Sequence, residues 1–218
     1  MFLSTPVKIF HTVCFLSLIF AGCSLWRGKD NSNVSFASQP KSELPFTTRE
    51  PDVFQTEIVV RTGETERRMF VARSSEKRRI DYDVGTDNHR AVLITDKEYL
   101  LFFKRKVYVE RPMSSDAASQ YEPLTAHLLN TRDYADFDEI GRQGSVVEFR
   151  AHVGESAVSD ASIFFDETIV LPVKEEFYST EGGQRTRQYS VELQGFRPEA
   201  GPDLFMIPTG FRRESEKR

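Results

Sequence analysis

Few side chains in this chain can do chemistry. Its 218 residues include two cysteines, Cys14 and Cys23, and four histidines. Cys14 and His11 lie in an apolar N-terminal run, which leaves Cys23, His89, His127 and His152. The three histidines read as belonging to a turn, a helix and the polar side of a strand. They show no His-x-His or His-Glu-x-x-His spacing, so they make no metal-ligand pattern. Asp133, Asp136, Asp138 and Glu139 offer the hard oxygens that calcium takes. They lack the glycine-centred spacing of an EF-hand loop and read as a solvated acidic connection. No Gly-x-Ser-x-Gly elbow, phosphate-cradling glycine loop or dinucleotide fingerprint occurs. The residues therefore point to a protein without catalytic residues, metal or cofactor.

Cys23 is the exception, because of what precedes it. Lys8 and the α-amino group make a positive start, Ile9 to Phe20 is mostly apolar, and Ile19-Phe20-Ala21-Gly22-Cys23 ends the run. Small residues fit the narrow subsites of a signal peptidase, and the cysteine sulfur is the group that becomes alkylated. The stretch resembles a bacterial lipobox, with Phe20 where leucine is usual. On this reading residues 1–22 are a lipoprotein signal peptide and Cys23 carries a lipid into a membrane. That leaves 196 residues with a net charge of −5, since Lys8 is lost from a total of −4. The alternative is an ordinary signal peptide or an uncleaved N-terminal anchor, although the run is short beside the ~20 apolar residues of a span. Ser24 rather than aspartate after Cys23 resembles outer-membrane sorting. The expected location is thus the cell envelope, lipid-anchored at the outer membrane and facing the periplasm.

Once Cys23 is lipidated no thiol remains for a disulfide, so packing and strand pairing must hold the fold. Residues 23–50 are rich in Ser, Asn, Gln and Pro and read as a lipidated cysteine followed by a flexible tether. Trp26 stands close enough to the anchor for the membrane interface, or is an incidental exposed aromatic. The folded domain is expected over residues 51–213, with a charged tail at 214–218. A mildly acidic total excludes the basic footprint of a nucleic-acid binder.

Within the domain, alternation and turn residues define the elements. Strands are expected at Phe54–Val60, Arg68–Arg73, Arg78–Val84, Ala91–Thr95, Tyr99–Phe103 and Val107–Val109. More follow at Phe137–Ile140, Ser145–Val153, Ala161–Asp166, Ile169–Tyr178 and Arg185–Phe196. Ile80, Tyr82 and Val84 share one face, and Arg79, Asp81 and Asp83 share the other, which reads as solvent-facing. Ser114 to Asn130 has helical spacing through Ala117, Tyr121, Leu124 and Leu128. Ser114 or Ser115 is placed to cap it, and Pro123 divides it and starts a fresh turn. The Leu171-Pro172-Val173 step suits an edge or bulged strand. Short turns with one interposed helix give a mainly β (α+β) fold, a curved antiparallel meander with one apolar face.

Ile163-Phe164-Phe165-Asp166-Glu167-Thr168-Ile169-Val170-Leu171-Pro172-Val173-Lys174 and the ending Asp203-Leu204-Phe205…Ile207-Pro208-Thr209-Gly210-Phe211 carry a resemblance. With Asp138-Glu139-Ile140-Gly141, they are similar to motifs of the LolA/LolB-like outer-membrane lipoprotein-sorting superfamily, over roughly residues 52–213. The resemblance implies an incomplete β-barrel closed on its hollow side by a short helical lid. In such a half-barrel, Phe102, Phe103, Phe149, Phe164, Phe165 and Phe177 on strands, with Leu124 and Leu128 on the lid, suit an acyl chain. Burial contributes ~0.8 kcal/mol per CH₂. The same residues could equally pack as a dry core.

Charge is uneven: residues 61–111 hold 13 Lys/Arg against 9 Asp/Glu, and residues 112–181 hold 4 against 14. The basic hairpins, among them Lys104, Arg105 and Lys106, either face anionic headgroups or an acidic partner, or are ordinary solvated edges. The expectation is a non-enzymatic envelope lipoprotein, attached to the membrane through Cys23, that binds an acyl chain or lipoprotein ligand. A protein-interaction or stress-sensing module with an envelope protein partner is the alternative.

Overall fold

The computed structural model describes residues 43–113, 122–129, 134–154 and 159–215. Cys23, Trp26, the signal segment and the tether up to Ser42 lie outside the described residues, as do Ser114 to Tyr121 and Asp133.

The first meander runs through β1 (Val53–Thr62), β2 (Thr65–Ser74), β3 (Lys77–Tyr82), β4 (Arg90–Ile94), β5 (Glu98–Phe102) and β6 (Val107–Arg111). The second comprises β7 (Tyr134–Gln143), β8 (Val146–Val153), β9 (Ser159–Asp166), β10 (Leu171–Glu181) and β11 (Gln184–Arg197). Helix α1 (Leu124–Leu128) lies between them, and a 3₁₀ turn at Pro202–Phe205 and β12 (Arg212–Arg213) follow β11. One sheet contains all twelve strands, in the order β12-β6-β5-β4-β3-β2-β1-β11-β10-β9-β8-β7. Pairing is antiparallel except for β12 on β6. The sheet is curved and open, the mainly β architecture that the alternation and the short turns led us to expect.

Local chemistry explains the hairpins. The β10–β11 turn has Gly182 at φ 58° and Gly183 at φ 82°. A two-residue turn matching the strand twist needs positive φ at both positions, and glycine alone takes it without a Cβ clash. Pro172 sits where β10 shifts register against β9, and the β10–β11 ladder begins only at Lys174. The bulge accommodates a residue with no N–H. Gly141 to Gln143, which fall between the expected strands Phe137–Ile140 and Ser145–Val153, instead continue β7. Its register shifts between Ala135 and Asp138 and between Glu139 and Gly141 bend the strand rather than end it.

The period of two gives the sheet two faces. On one, Phe54, Ile58, Val71, Leu171 and Val191 close on Leu124 and Leu128 of α1; this is called the helix face. Both leucines are fully buried, at 0 % exposure. Such burial stabilises by about 1.5–3 kcal/mol per side chain. Helix α1 starts directly after Pro123, at φ −61°, as the proline suggested. Its first amide, Leu124 N–H, donates to Glu50 Oε2 at 2.7 Å, so a carboxylate from ahead of β1 satisfies the helix start. The packed domain therefore takes in residues ahead of Pro51.

The opposite face is covered at β2–β5 by the C-terminal segment. Phe205, with Leu204, Ile207 and Phe211, packs on Ala72, Ala91, Leu93 and Leu101. Here one expectation fails. Arg79 and Asp81 do not face solvent: Asp81 is 2 % exposed beneath that segment. Alternation correctly put Asp81 opposite Ile80, but a segment about 120 residues further on supplies the cover.

Candidate functional site

Period-two pairing separates the aromatic residues picked from the sequence. Phe149, Phe165 and Phe177 lie on the helix face, in register with Ile163, Val147 and Tyr189. Phe102 is on the same face, in line with Arg90, Tyr82 and Val107. Phe164 is not. Its neighbour Phe165 takes the helix face, so Phe164 emerges on the other side, where Lys174 Nζ stands 5.1 Å from its ring centre. Phe103 also points to the other face, stacked on the His89 ring at 3.7 Å. Leu124 and Leu128 meet Phe54 and Ile58 as packed core. Phe177 stacks on Tyr189 at 5.5 Å. Phe165 and Phe149 are covered by Phe46, with ring centres 4.5 and 5.4 Å away. Phe102 borders an open cavity.

That cavity lies on β3–β5. Tyr82, Val92, Leu100 and Phe102 form its apolar floor and Arg90 stands at its edge, enclosing about 290 Å³. Beside it opens a cleft of about 450 Å³ lined by Asp83, Asp87, Asn88, His89, Arg90, Phe102, Lys104 and Arg105. The two share Arg90 and Phe102, so an apolar trough runs into a polar mouth with three cations. Local contacts hold the cations. The Arg90 guanidinium lies over the Tyr82 ring at 5.5 Å, and that of Arg105 over Phe102 at 4.9 Å. Lys104 pairs with Asp87 at 2.6 Å and Arg105 with Glu214 at 3.0 Å. Burial pushes the Tyr82 phenol up from its usual range, against the opposing pull of Arg90, so it stays a neutral hydroxyl in the trough. The lining thus joins an apolar floor to a mouth where Arg90, Lys104 and Arg105 stand beside Asp83 and Asp87.

Two buried polar clusters escaped sequence reasoning. Under the C-terminal segment, Arg79 donates to Asp81 from Nε at 2.6 Å and from Nη2 at 2.9 Å, and to the Leu204 carbonyl at 3.1 Å. His89 Nε2 meets Asp81 Oδ1 at 3.0 Å, and Phe103 sits edge-on to Phe211 at 5.3 Å. The Asp81 carboxylate is thus occupied with anchoring, and through Arg79 it pins the C-terminal segment to the sheet. On the helix face Glu175, fully buried, accepts from the Tyr134 hydroxyl and from that of Tyr189 at 3.2 Å. Neither carboxylate sits in a spacing motif; both occupy ordinary alternation positions.

The three histidines stay apart, at the β3–β4 loop, on α1 and exposed on β8. Among the described residues no group of three or more His, Cys, Asp or Glu is placed to hold a metal ion. Asp136, Asp138 and Glu139 lie on strand β7. Among the same residues no helix is long and apolar enough to cross a membrane.

No known family profile matches the chain, and no curated protein matches it. Solved structures do resemble it. The MucA/MucB complex of Pseudomonas aeruginosa aligns at 14 % identity with a TM-score of 0.45, covering 71 % of this chain and 55 % of that one. This chain thus spans about half the length of that relative. An uncharacterized conserved protein from Thermus thermophilus aligns at 10 % identity and a TM-score of 0.43, over 75 % of this chain and 90 % of that one. A LolA superfamily protein from Nitrosomonas europaea aligns at 13 % identity and a TM-score of 0.26, over 73 % and 92 %. The similarity is one of backbone only, so the groove is read from this chain's own residues. LolA superfamily proteins are among the structures this chain resembles.

Proposed function

We propose that the protein is a non-enzymatic lipoprotein of the bacterial envelope, anchored through Cys23, that binds an acidic amphiphile in the β3–β5 groove. The observation that carries this reading is the sharing of Arg90 and Phe102 between an apolar cavity and a cationic cleft. The acyl chain lies on Tyr82, Val92, Leu100 and Phe102, where its burial supplies ~0.8 kcal/mol per CH₂. The carboxylate or phosphate head meets Arg90, Lys104 and Arg105 at the mouth, where a cation pairs with it at the water boundary. Binding needs no covalent step, since burial and charge pairing suffice. The cavity is at the small end of ligand sites, roughly 300–1,000 Å³, which suits one chain rather than several.

The test uses the full chain isolated from membranes. Native mass spectrometry should show co-purified acyl lipid, and a fluorescent fatty acid should bind saturably and be competed by acyl phosphates but not by a neutral detergent of equal chain length. Phe102→Asp should abolish probe binding, with the thermal midpoint as a check on folding. No bound lipid together with no probe binding by the wild type would falsify the reading. The anchor is tested separately by labelling with a palmitate analogue, and equal labelling of the wild type and Cys23→Ala removes it.

A further inference from the structure

The helix face over β8 and β9 is already occupied, by this chain's own residues 43–50. Along that segment Phe46, Thr48 and Glu50 are half-buried while Pro45, Thr47 and Arg49 are exposed, the period of an extended strand. The Phe46 ring lies nearly parallel to Phe165, at 4.5 Å and 18°, and 5.4 Å from Phe149. It packs against the cluster of Leu129, Ala151 and Ile163. Three residues on, Arg49 N–H donates to the Val170 carbonyl at 3.0 Å. One further on, Glu50 pairs with Arg73 at 3.1 Å.

The acceptor features belong to the domain, not to the segment. Val170 holds φ 57°, a region a β-branched residue rarely enters. It is kept there by the turn after β9, where Val170 N–H donates to Asp166 O and Thr168 N–H to Asp166 Oδ1, each at 2.8 Å. The turn aims that carbonyl at the passing backbone. Together these give an aromatic slot, a backbone acceptor and, in Arg73, a cation, spaced for a phenylalanine and an acid four residues later on the same side of a strand.

We propose that this slot is a recognition site for extended peptide with the pattern Phe-x-x-x-acid, and that a partner protein carrying it enters by displacing residues 43–50. The chain's own Phe46–Glu50 is the resident that keeps the slot filled until then. The groove at Tyr82 and Phe102 shares no residue with the slot, so the two proposals stand or fall separately.

The test uses the full chain and a fluorescein-labelled peptide of residues 43–52. In fluorescence anisotropy the peptide should bind the Phe46→Ala chain at least tenfold more tightly than the wild type. A peptide with alanine at position 46 should bind neither, and adding Arg73→Ala to the variant should weaken binding several-fold. Equal affinity for wild type and variant, no binding to either, or binding regardless of the phenylalanine overturns the proposal. A gain in fatty-acid binding by the variant without peptide binding overturns it too, in favour of a lipid occupant. If Phe46→Ala does not hold its fold, excess peptide is added to the wild type and hydrogen exchange at Arg49 is followed. Faster exchange is expected, and unchanged exchange overturns the proposal.

Discussion

The two ends of the helix face start from the same alternation and finish differently. At β8–β11 and β1 the apolar side chains are sealed by α1, Leu129 and Phe46. At β3–β5 Tyr82, Val92, Leu100 and Phe102 are half-buried around a cavity of about 290 Å³. Sheet chemistry does not distinguish the ends, since both present large apolar residues with a few polar ones among them, Arg90 at one end and Glu175 at the other. Among the described residues, what differs is the return of non-sheet chain. The closed end receives a helix fixed by Glu50 and an aromatic fixed by Val170 and Arg73, and the open end keeps room beside its cations. A strand's face specifies what can be buried, and connecting segments specify what is.

Truncation gives the largest expected contrast. Leu128→Ala, in the closed end, should cost about 2–5 kcal/mol in denaturant unfolding, because a fully buried leucine leaves a void. Phe102→Ala should cost much less, since its site is already partly hollow. Equal losses would mean that the groove is core. Enlargement should reverse the pattern. Val71→Phe, at 1 % exposure, should destabilise by about 1–3 kcal/mol through overpacking. Val92→Phe should stay within about 1 kcal/mol while blocking the fluorescent fatty acid, because it fills existing space. A Val92→Phe chain as damaged as Val71→Phe would erase the distinction.

Charge at the mouth should separate binding from folding. Arg90→Ala is expected to leave stability within about 0.5 kcal/mol, as for surface changes generally, yet to weaken an acyl phosphate more than a neutral amphiphile. The smallest effect is a pH dependence of the closed end. Burial holds the His127 imidazole below its ordinary value, only partly offset by Glu122 at 3.4 Å. A base whose folded pKa is depressed contributes stability above its unfolded pKa, about 6.5, and loses it as pH falls, because the unfolded chain protonates first. Unfolding of the wild type should ease on acidification below that point more than unfolding of His127→Gln. Parallel curves would show that His127 is not the cause.

Much of this was legible in the residues. Alternation in Arg78–Val84 and Ser145–Val153 located β3 and β8, and Gly182-Gly183 located a hairpin, because these are local signals. What the residues did not reveal was long-range cover. Asp81 looked like a solvent position until Phe205 closed over it, and Phe46 sat in a polar stretch that composition marks as tether. Phe164 and Phe165 looked equivalent as aromatic neighbours, although adjacency in a strand places them on opposite faces. Phe102 was chosen for its type, but Arg90, its partner at the mouth, lacked any motif that would have singled it out.

The sheet order carries a further consequence for folding kinetics. The central seam joins β1 to β11, so Arg61 must find Glu192 across 131 residues before the two meanders become one sheet. Loop-closure entropy is spent before that pairing gives anything back, which makes it a slow step. Until the last long strand has been made, β1 presents an unpaired edge of ten residues, the kind of edge that recruits other chains. The rate of refolding, and the losses to aggregation along the way, should therefore follow substitutions at this seam more closely than those in any hairpin.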